Sequence, residues 1–352
     1  MFFLCSAAHA AKPVFPFGTH VIETVPAAFQ AWHPAFEKNN DYAEVWFMMV
    51  HADDGAVLFA SLMITNLGLK TFDGIIDVQF YAADGSKYYL HKELRRDEVK
   101  ASTTKMDVTI EEARVWSDEA GYHLRLRYKE MSIDLDIVNK MPSVLFGNGK
   151  VSFFQDKSAE WALGINVPYG KASGKLDAGG RLYSLRGNAY HDHGYATIKT
   201  PDFVREWRTL RIYKGDIGLA LHHQFLTKRF GNGDHRFGVF SVDGKTNMPL
   251  YDIELRPTAV RKHKTGYKIP TAYTFSAKAK GYTITGQLEE ARFLDDVDVL
   301  GQVSWAARML IKAFYAAPYM FRSVFDYELD IVGPDNRKTK IKGRSVVESN
   351  SF

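Results

Sequence analysis

Strict alternation of apolar and polar residues is the feature that most constrains the fold of this chain. In the stretch GYHLRLRYKEMSIDLDIV, Leu124 and Leu126 alternate with arginines, and the pattern resumes around Leu135 with aspartates between the apolar residues. Successive side chains of a β-strand point to opposite faces of a sheet, so this period of two predicts strands that are buried on one face only. Two such strands in succession are typical of an antiparallel pair.

Turn signals divide the rest of the chain into segments of the same kind. Asp-Gly or Lys-Gly pairs follow apolar runs at positions 54–55, 84–85, 214–215, 243–244 and 280–281. Such pairs favour the tight turns that connect antiparallel strands. Each half of the chain is therefore predicted to hold roughly eight to ten strands, which makes the fold class all-β, with two barrel-like or sandwich-like units.

The length of the chain supports this division into two parts. A single hydrophobic core stops growing at roughly 250 to 300 residues, and the chain has 352. The loosest stretch near the middle is VPYGKASGKLDAGGR, which is rich in glycine and lysine. We expect an N-terminal unit over residues 13–180 and a C-terminal unit over residues 181–352. The expected core residues are Trp46, Phe47, Val78, Phe80, Leu124, Leu135, Leu219 and Phe240.

One segment near the C-terminus breaks the strand pattern. In residues 301–317, polar side chains recur every four positions at Ser304, Arg308 and Lys312, and Pro318 follows the segment. This period predicts an amphipathic helix. Two placements remain open for it: packing against a barrel, or contact with a membrane surface through its two cations and the aromatic residues that follow. No apolar run approaches the roughly 18 residues that a membrane-spanning helix requires.

The first residues match the end of a secretory signal peptide. In MFFLCSAAHAAKP, an apolar start is followed by Ala-His-Ala, the small-x-small pattern that signal peptidase cuts. We therefore expect residues 1–12 to be a partial signal peptide and the protein to be periplasmic or secreted; the alternative is a buried N-terminal segment. The single cysteine, Cys5, excludes an internal disulfide bond. The net charge of +4 is spread along the chain without a separate basic block, which argues against nucleic-acid binding.

The chemistry-bearing residues concentrate in RGNAYHDHGYAT, residues 186–197. On a strand, alternation places two groups of side chains on opposite faces. These groups are His191, His193 and Tyr195 on one side, and Asn188, Tyr190 and Asp192 on the other. A second histidine pair, His222 and His223, lies in LALHHQF and again points to opposite faces.

Three interpretations of these residues remain open from the pattern alone. In the first interpretation, the histidines are hydrogen-bonded structural residues. In the second, they ligate a metal ion: His191 and His193 lie on one strand, and His222 or His223 is the third ligand. In the third interpretation, Asp192 is a general acid, because burial among aromatic residues would raise its pKa and let it hold a proton to donate. Neighbouring imidazoles would relay protons, and aromatic faces would stabilise a carbocation.

The stretch GNAYHDHGYAT, followed by TPDFVREWRTLRIYKGD, resembles a family signature. The family is the lipocalin-like AttH and carotenoid 1,2-hydratase (hydroxyneurosporene synthase) family, with the signature Gly-x-x-Tyr-His-Asp-His-Asn-Trp-Gly and a following tryptophan-bearing strand. Residues 190–193 agree with the signature, whereas Gly194 and Tyr195 stand where the family usually has Asn and Trp. Trp207 matches the strand tryptophan, and LALHHQF lacks the aspartate of a Tyr-x-Asp pair that the hydratases carry in the corresponding strand.

The resemblance implies two consecutive calycin-type, lipocalin-like β-barrels that enclose an apolar ligand of isoprenoid or lipid character. It also implies acid-catalysed hydration, isomerisation or cyclisation of an alkene; the alternatives are a non-catalytic carrier of a hydrophobic ligand and a histidine-ligated metalloprotein. In the catalytic interpretation, the acid and proton relays are Asp192, His191, His193, His222 and His223, and the substrate-binding residues are Tyr190, Tyr195, Trp207 and Asn188. We expect no cofactor and a hydrophobic small molecule as partner. The aromatic content, with 24 Phe and 18 Tyr, suits an apolar pocket.

Overall fold

The computed structural model describes residues 22–66, 73–153, 159–298 and 318–352, which form two antiparallel sheets. The strands of the first sheet are β1 (Ile22–Glu23), β2 (Ala43–Ala52), β3 (Val57–Thr65), β4 (Asp73–Tyr81), β5 (Lys87–Leu94), β6 (Val99–Ala101), β7 (Asp107–Ile110), β8 (Ala113–Asp118), β9 (Gly121–Arg127), β10 (Met131–Asn139), β11 (Val144–Phe153), β12 (Ala159–Ala178), β13 (Arg181–Ser184) and β14 (Gly187–Ala196). The strands of the second sheet are β15 (Val204–Lys214), β16 (Ile217–Leu226), β17 (Asp234–Ser241), β18 (Met248–Pro249), β19 (Tyr251–Lys262), β20 (Lys268–Ala279), β21 (Tyr282–Asp298), β22 (Tyr319–Val332) and β23 (Lys338–Ser351). Short helical segments complete the described chain: α1 (Ala27–Gln30), α2 (Thr200–Phe203) and the 3-10 turns Pro34–Phe36, Arg96–Glu98 and Lys228–Phe230.

The strand order confirms the all-β class and the two consecutive antiparallel barrels. The main path of the first sheet runs β5-β4-β3-β2-β14-β12-β10-β9-β8-β7-β6, and the second sheet runs β18-β17-β16-β15-β23-β22-β21-β20-β19. The two ends of the first sheet approach each other, since a Cβ atom on Gly74 of β4 would lie 2.6 Å from a methyl carbon of Val99 on β6. The first sheet is therefore a nearly closed barrel, and the second forms a half-barrel.

The hairpin of β9 and β10 confirms the alternation that predicted it. Leu124 lies directly opposite Leu135, and both side chains are fully buried. On the outer face, Arg125 donates a hydrogen bond of 2.7 Å to Asp136. The expected Asp-Gly turn between β2 and β3 is also present, and Gly55 there has a φ of 91°, a conformation that favours glycine.

The glycine-rich stretch near the middle of the chain is part of a strand. It lies in β12, which has 20 residues and pairs with β10 on one side and β14 on the other. A Cβ atom on Gly174 would lie 2.1 Å from the backbone oxygen of Asp134, and one on Gly170 would lie 2.9 Å from that of Val138. These glycines therefore permit close approach of the neighbouring backbone, and their accumulation does not mark a linker.

The strand that carries residues 190–193 is β14, and it joins the first sheet. Its expected place in the C-terminal barrel is wrong, because all ten of its residues pair with β2 and its other edge pairs with β12. Its side chains Ala189 and Tyr195 pack in the core of the first barrel. The chain passes to the second sheet through α2, and β15 begins at Val204. A division into two independently folding units stays a prediction.

Three apolar clusters fill the described structure. One lies inside the first barrel around Trp46, one lies between the sheets around Phe59, and one lies inside the half-barrel around Phe275. Of the eight expected core residues, seven are buried, whereas Phe47 is half-buried. Strands β2 and β14 thus present one face to the first barrel and the other to the second sheet.

Two expectations fall outside the described residues. These are the partial signal peptide at residues 1–12 and the amphipathic helix at residues 301–317. Among the helices that the structure describes, none has the length and apolar character needed to cross a membrane.

Candidate functional site

At the centre of β14, two polar side chains face the second sheet. Tyr190 and Asp192 are two residues apart and therefore share a face. The hydroxyl of Tyr190 donates a hydrogen bond of 2.7 Å to Oδ2 of Asp192. The Tyr190 ring packs in the cluster between the sheets, beside Phe59 and Met49. This strand face places a carboxylate at the junction of the two sheets.

Strands β15 and β16 bring Trp207 and His222 to the same junction. Nε1 of Trp207 donates to Nδ1 of His222 at 3.2 Å, and Nε2 of His222 lies 2.9 Å from the hydroxyl oxygen of Tyr190. An indole nitrogen only donates and an ionised carboxylate only accepts. One direction therefore satisfies every group: Trp207 donates to His222, His222 to Tyr190, and Tyr190 to Asp192. We call these four residues the relay chain.

Burial sets the protonation of the relay chain. It raises the pKa of Asp192 to about 7, against the hydrogen bond from Tyr190 and the positive charge of Arg211, which lower it. Burial also holds the pKa of Tyr190 well above its ordinary value and that of His222 well below. At neutral pH, His222 is therefore neutral, Tyr190 keeps its proton, and Asp192 is poised between its two forms.

Solvent reaches the residue at the end of the relay chain, and we call this side of Asp192 the opening. Asp192, Phe47 and Trp207 are half-buried, whereas Tyr190 and His222 behind them are buried. Phe47 lies directly opposite Asp192 in the pairing of β14 with β2. Among the described residues, only Tyr190 donates a hydrogen bond to the Asp192 carboxylate. Its second oxygen, Oδ1, is therefore the one that remains for a ligand.

A buried ion cluster of Arg211, Arg322 and Glu348 stands behind the relay chain. The guanidinium carbon of Arg211 lies 4.0 Å from the centre of the Tyr190 ring, and its Nη1 donates to Glu348 at 2.8 Å. Nε of Arg322 donates to the other carboxylate oxygen of Glu348 at 3.3 Å. The sequence-based inference missed this cluster, although Arg211 follows the apolar Leu210 and precedes Ile212 on a strand whose two faces are both buried.

A cavity of about 460 Å³ lies away from the relay chain, on the outer face of the second sheet. Its lining includes the charged residues Glu289, Asp326, Glu328, Lys342 and Arg344. A site for an apolar molecule is lined mainly by hydrophobic and aromatic side chains. We therefore place the candidate site at the opening beside Asp192, where Phe47 and Trp207 are half-buried aromatic neighbours.

His191 points into the first barrel, away from the relay chain. Its Nδ1 lies 2.8 Å from the backbone oxygen of Phe47, and its Nε2 lies 2.9 Å from the side-chain nitrogen of Asn166. Burial lowers the pKa of His191 to about 3. The imidazole is therefore a neutral structural group held between a donor and an acceptor.

His193 belongs to a second buried cluster, with His33, Glu44 and Tyr42. Nε2 of His193 and Nδ1 of His33 each lie 2.7 Å from Oε1 of Glu44, while the Tyr42 hydroxyl and the His33 backbone N–H donate to Oε2. Burial favours neutral Glu44, but the hydrogen bonds from His193 and His33 prevail and lower its pKa to about 2. We call this group the Glu44 cluster.

The Glu44 cluster is the only group in the described chain with ligand atoms spaced for a metal ion, all within 4.8 Å of one another. Both oxygens of the Glu44 carboxylate accept hydrogen bonds within this group, whereas Nδ1 of His193 is buried and has no hydrogen-bond partner in the described structure. The expected ligand set of His191, His193 and His222 or His223 is not assembled. The first two face the first barrel, whereas His222 lies between the sheets.

Three further predicted residues lie apart from the relay chain. His223 lies inside the half-barrel, where its Nε2 is 2.9 Å from Asp234. The hydroxyl of Tyr195 donates to Glu160 at 3.0 Å in the first barrel, and Asn188 accepts a hydrogen bond of 2.7 Å from Lys171. The structure thus brings together Asp192, Tyr190, His222 and Trp207, and it separates His191, His193, His223, Tyr195 and Asn188 from them.

Comparisons with known proteins agree with this architecture. The model of the AttH-like family matches residues 78–297. A solved AttH structure from Nitrosomonas europaea has 12% sequence identity and a TM-score of 0.65, and covers 93% of this chain and 97% of its own. CghA has 10% identity and a TM-score of 0.66, with coverage of 97% and 96%. Kievitone hydratase from Nectria haematococca has 12% identity and a TM-score of 0.57, with coverage of 96% and 98%.

These structural similarities establish a shared fold, because the identities are too low to carry residue roles. No curated protein matches the sequence significantly. The relay chain therefore has to be interpreted from its own geometry.

Proposed function

The chain belongs to the AttH-like family, and from this premise we propose that it binds an apolar small molecule between its two sheets and protonates it through Asp192. The reaction class is acid-catalysed hydration, isomerisation or cyclisation of an alkene. The ligand is isoprenoid or lipid-like. Two structural neighbours support a small-molecule ligand by their names: kievitone hydratase, and CghA, which has been solved with Sch210972.

One observation carries the proposal: the relay chain ends on a carboxyl group that faces an opening. Three hydrogen bonds in series join Trp207 to His222, His222 to Tyr190, and Tyr190 to Oδ2 of Asp192. Oδ1 accepts no hydrogen bond from the described residues. A carboxyl group with a pKa of about 7 holds a proton in a large fraction of molecules at neutral pH. Such a group is a general acid that carries its proton on Oδ1, while Tyr190 holds Oδ2 in place.

The proposed chemistry balances without a cofactor. Asp192 donates the proton on Oδ1 to one carbon of the alkene, a C–H bond forms, and the π electron pair of the alkene is used in that bond. The resulting carbocation is stabilised by the aromatic faces of Phe47 and Trp207 and by the new negative charge on Asp192. Water then forms a C–O bond and returns one proton to the carboxylate. Alkene and water become an alcohol, and the acid is regenerated.

Tyr190 has a positioning role in this scheme. Its hydrogen bond to Oδ2 strengthens when Asp192 becomes a carboxylate, which stabilises the charge formed at proton transfer. His222 donates to Tyr190 and so keeps the tyrosine hydroxyl directed at Asp192, and Trp207 fixes the required tautomer of His222. The relay chain therefore holds one oxygen of the acid and leaves the other to the ligand.

The test begins with organic extraction of the purified protein and mass spectrometry of any small molecule that is released. The wild-type protein is then incubated with the recovered compound, or with a panel of acyclic isoprenoids, in D₂¹⁸O. Hydration predicts a product that carries one carbon-bound deuterium and one ¹⁸O atom. Cyclisation or isomerisation predicts deuterium alone.

Asp192→Asn is the decisive variant, because asparagine retains the shape and an acceptor for Tyr190 but has no acidic proton. It should bind the compound and give no labelled product. The matched control is Asp234→Asn, which alters a partly buried, histidine-paired aspartate in the half-barrel and should keep full turnover. Binding by the wild-type protein without any labelled product would identify a carrier in place of an enzyme. Equal turnover by Asp192→Asn would exclude Asp192 as the acid.

A further inference from the structure

Next to the relay chain, Arg208 occupies the opposite face of β15. Trp207 points to the junction between the sheets, whereas Arg208 points into the half-barrel, where Leu210 on the same face joins the apolar cluster. Arg208 is only 8% exposed. A nearly buried arginine inside an apolar half-barrel needs a partner for its charge and for its five N–H groups.

Only part of this need is met by the described protein. Nε of Arg208 donates to Glu206 at 2.5 Å. The terminal nitrogens, Nη1 and Nη2, make no hydrogen bond to any residue in the described ranges. Two aromatic rings hold the guanidinium plane: its central carbon lies 4.7 Å from the centre of Phe225 and 5.9 Å from that of Tyr273. The fork of the guanidinium is therefore held in place with its donor edge unused.

A second arginine faces the same ring. The guanidinium carbon of Arg205 lies 5.3 Å from the centre of Phe225, and Arg205 is exposed to solvent. Phe225 itself is half-buried, which marks the entrance to the half-barrel at this point. Arg208 inside and Arg205 outside thus place two positive charges along one access route.

The acidic groups nearby are already engaged. Glu290 accepts hydrogen bonds from Arg261 at 2.6 Å and from Ser323 at 2.7 Å. Asp234 accepts hydrogen bonds from Arg236 and from the ring of His223. Glu206 is the one acid bound to Arg208, and it occupies a single nitrogen of the guanidinium. Within the described ranges, the donor edge of Arg208 is thus left without a protein acceptor.

We propose that the half-barrel holds a second ligand site at its entrance, in which Arg208 binds the carboxylate of an amphipathic organic acid while Phe225 contacts its apolar part. The planar fork of an arginine matches the two oxygens of a carboxylate. The half-buried ring of Phe225 offers an apolar contact beside the guanidinium, and the side chains below it, among them Leu210 and Leu221, are fully buried in the core. This combination favours an acid with an alkyl or terpenoid body over a small inorganic anion.

The proposal is independent of the chemistry at Asp192. Strand β15 separates the two places, and no residue of the relay chain contacts Arg208 through a hydrogen bond. The second site therefore stands even if the protein only carries its ligands. It also predicts that one protein molecule binds two different small molecules.

The test is equilibrium binding of decanoate to the full-length protein, measured by calorimetry in a buffer free of carboxylate and phosphate. 1-Decanol is the matched neutral probe. We expect one decanoate per chain, and affinity reduced about 10- to 100-fold by Arg208→Gln, since charge-assisted hydrogen bonds are lost. The affinity of Arg208→Lys for decanoate should lie between that of the wild type and that of Arg208→Gln, because lysine keeps the charge but lacks the planar fork of arginine. The control is Arg256→Gln, which removes an exposed arginine of the second sheet and should leave the affinity unchanged.

Two further measurements keep the outcome decisive. A saturating concentration of 1-decanol should leave decanoate binding to the wild-type protein unchanged, which separates this site from apolar binding between the sheets. In the wild-type protein, ¹⁵N spectra of arginine side chains should show one guanidinium that shifts with decanoate and not with 1-decanol; this needs no variant to fold. Equal affinity of Arg208→Gln and the wild type for decanoate, or equal affinity of the wild type for decanoate and 1-decanol, would overturn the proposal.

Discussion

The two faces of β14 carry the same kinds of residue in opposite states. On the face toward the first barrel, His193 donates to a carboxylate that three other donors also hold, so the Glu44 cluster is closed. On the face toward the second sheet, the relay chain runs through His222 and Tyr190 and stops at a half-buried carboxyl group. The two faces differ in the carboxyl group at which their hydrogen bonds end: Glu44 is buried, whereas Asp192 is half-buried.

This comparison shows why the number of histidines is a poor guide to the site. Four successive residues, 190–193, supply one structural imidazole, one imidazole hydrogen-bonded to the buried Glu44 carboxylate, and two members of the relay chain. The pKa of Glu44 is lowered to about 2 by its donors, whereas burial raises that of Asp192 to about 7. One carboxylate is committed to structure, and the other is left able to exchange a proton.

The largest expected effect comes from breaking the closed face. Glu44→Ala leaves the donors of His33, His193 and Tyr42 without an acceptor, so we expect the free energy of unfolding to fall by about 3–5 kcal/mol. Urea denaturation followed by tryptophan fluorescence measures this. Asp192→Asn, the conservative change on the other face, should not lower the free energy of unfolding at neutral pH, because asparagine avoids the ionisation that burial disfavours. A loss for Glu44→Ala no greater than that for Asp192→Asn would contradict the comparison.

The two carboxylates should also give stability opposite dependences on pH. The folded pKa of Asp192, about 7, lies above the roughly 3.9 of an unfolded aspartate. Its contribution to the free energy of unfolding is therefore complete below about pH 4 and is lost as the pH rises toward 7. The loss is at most about 1.4 kcal/mol per pH unit. Glu44 has a lowered pKa, so its contribution is present above about pH 4.3 and is lost as the pH falls toward 2. Urea midpoints from pH 3 to pH 8 measure both effects. The fall above pH 4 should diminish in Asp192→Asn and persist in the control Asp234→Asn.

A smaller effect is expected from the charge behind the relay chain. Arg211 lowers the pKa of Asp192, so Arg211→Met should raise that pKa further, by about one unit. A ¹³C titration of the Asp192 carboxyl carbon reads the change directly and does not depend on activity. Arg322→Met also removes a partner of Glu348 but should move the Asp192 resonance less. An unchanged or lowered pKa in Arg211→Met would show that Arg211 does not act on the acid.

The smallest effect is expected at the first donor of the relay chain. Trp207→Phe removes the N–H that donates to Nδ1 of His222, which should cost about 1 kcal/mol of stability. The sharper readout is the tautomer: ¹⁵N spectra should show the His222 proton on Nε2 in the wild type and divided between both nitrogens in the variant. The control is Trp161→Phe, since its ring contacts Trp207 at 5.5 Å between centres without being a member of the relay chain. Retention of the pure Nε2 tautomer in Trp207→Phe would refute the direction that we assign to the chain.

The alternation of residues was enough to predict the faces of β14. It separated Tyr190 and Asp192 from His191 and His193, and it predicted the hairpin in which Leu124 faces Leu135. It could not predict that β14 lies beside β2, because the register of strands far apart in sequence depends on side chains that meet only in the fold. Glu44 and His33 were missed for the same reason. The glycines of β12 were interpreted as the loosest stretch near the middle of the chain, since close strand approach and flexible chain both favour glycine.

The position of β14 in the middle of the first sheet has a consequence for the order in which this chain is made and folded. Strand β2, residues 43–52, pairs on one edge with β3, which follows it directly in the sequence. On its other edge it pairs with β14, which ends at Ala196. During synthesis from the N-terminus, one edge of β2 therefore stays unpaired until β14 has left the ribosome. Pairing over such a separation is slow and exposes an aggregation-prone edge in the meantime. Strand β14, which carries Asp192, is thus also the last strand of the first sheet to be synthesised. Asp192 reaches its position only when that sheet is completed.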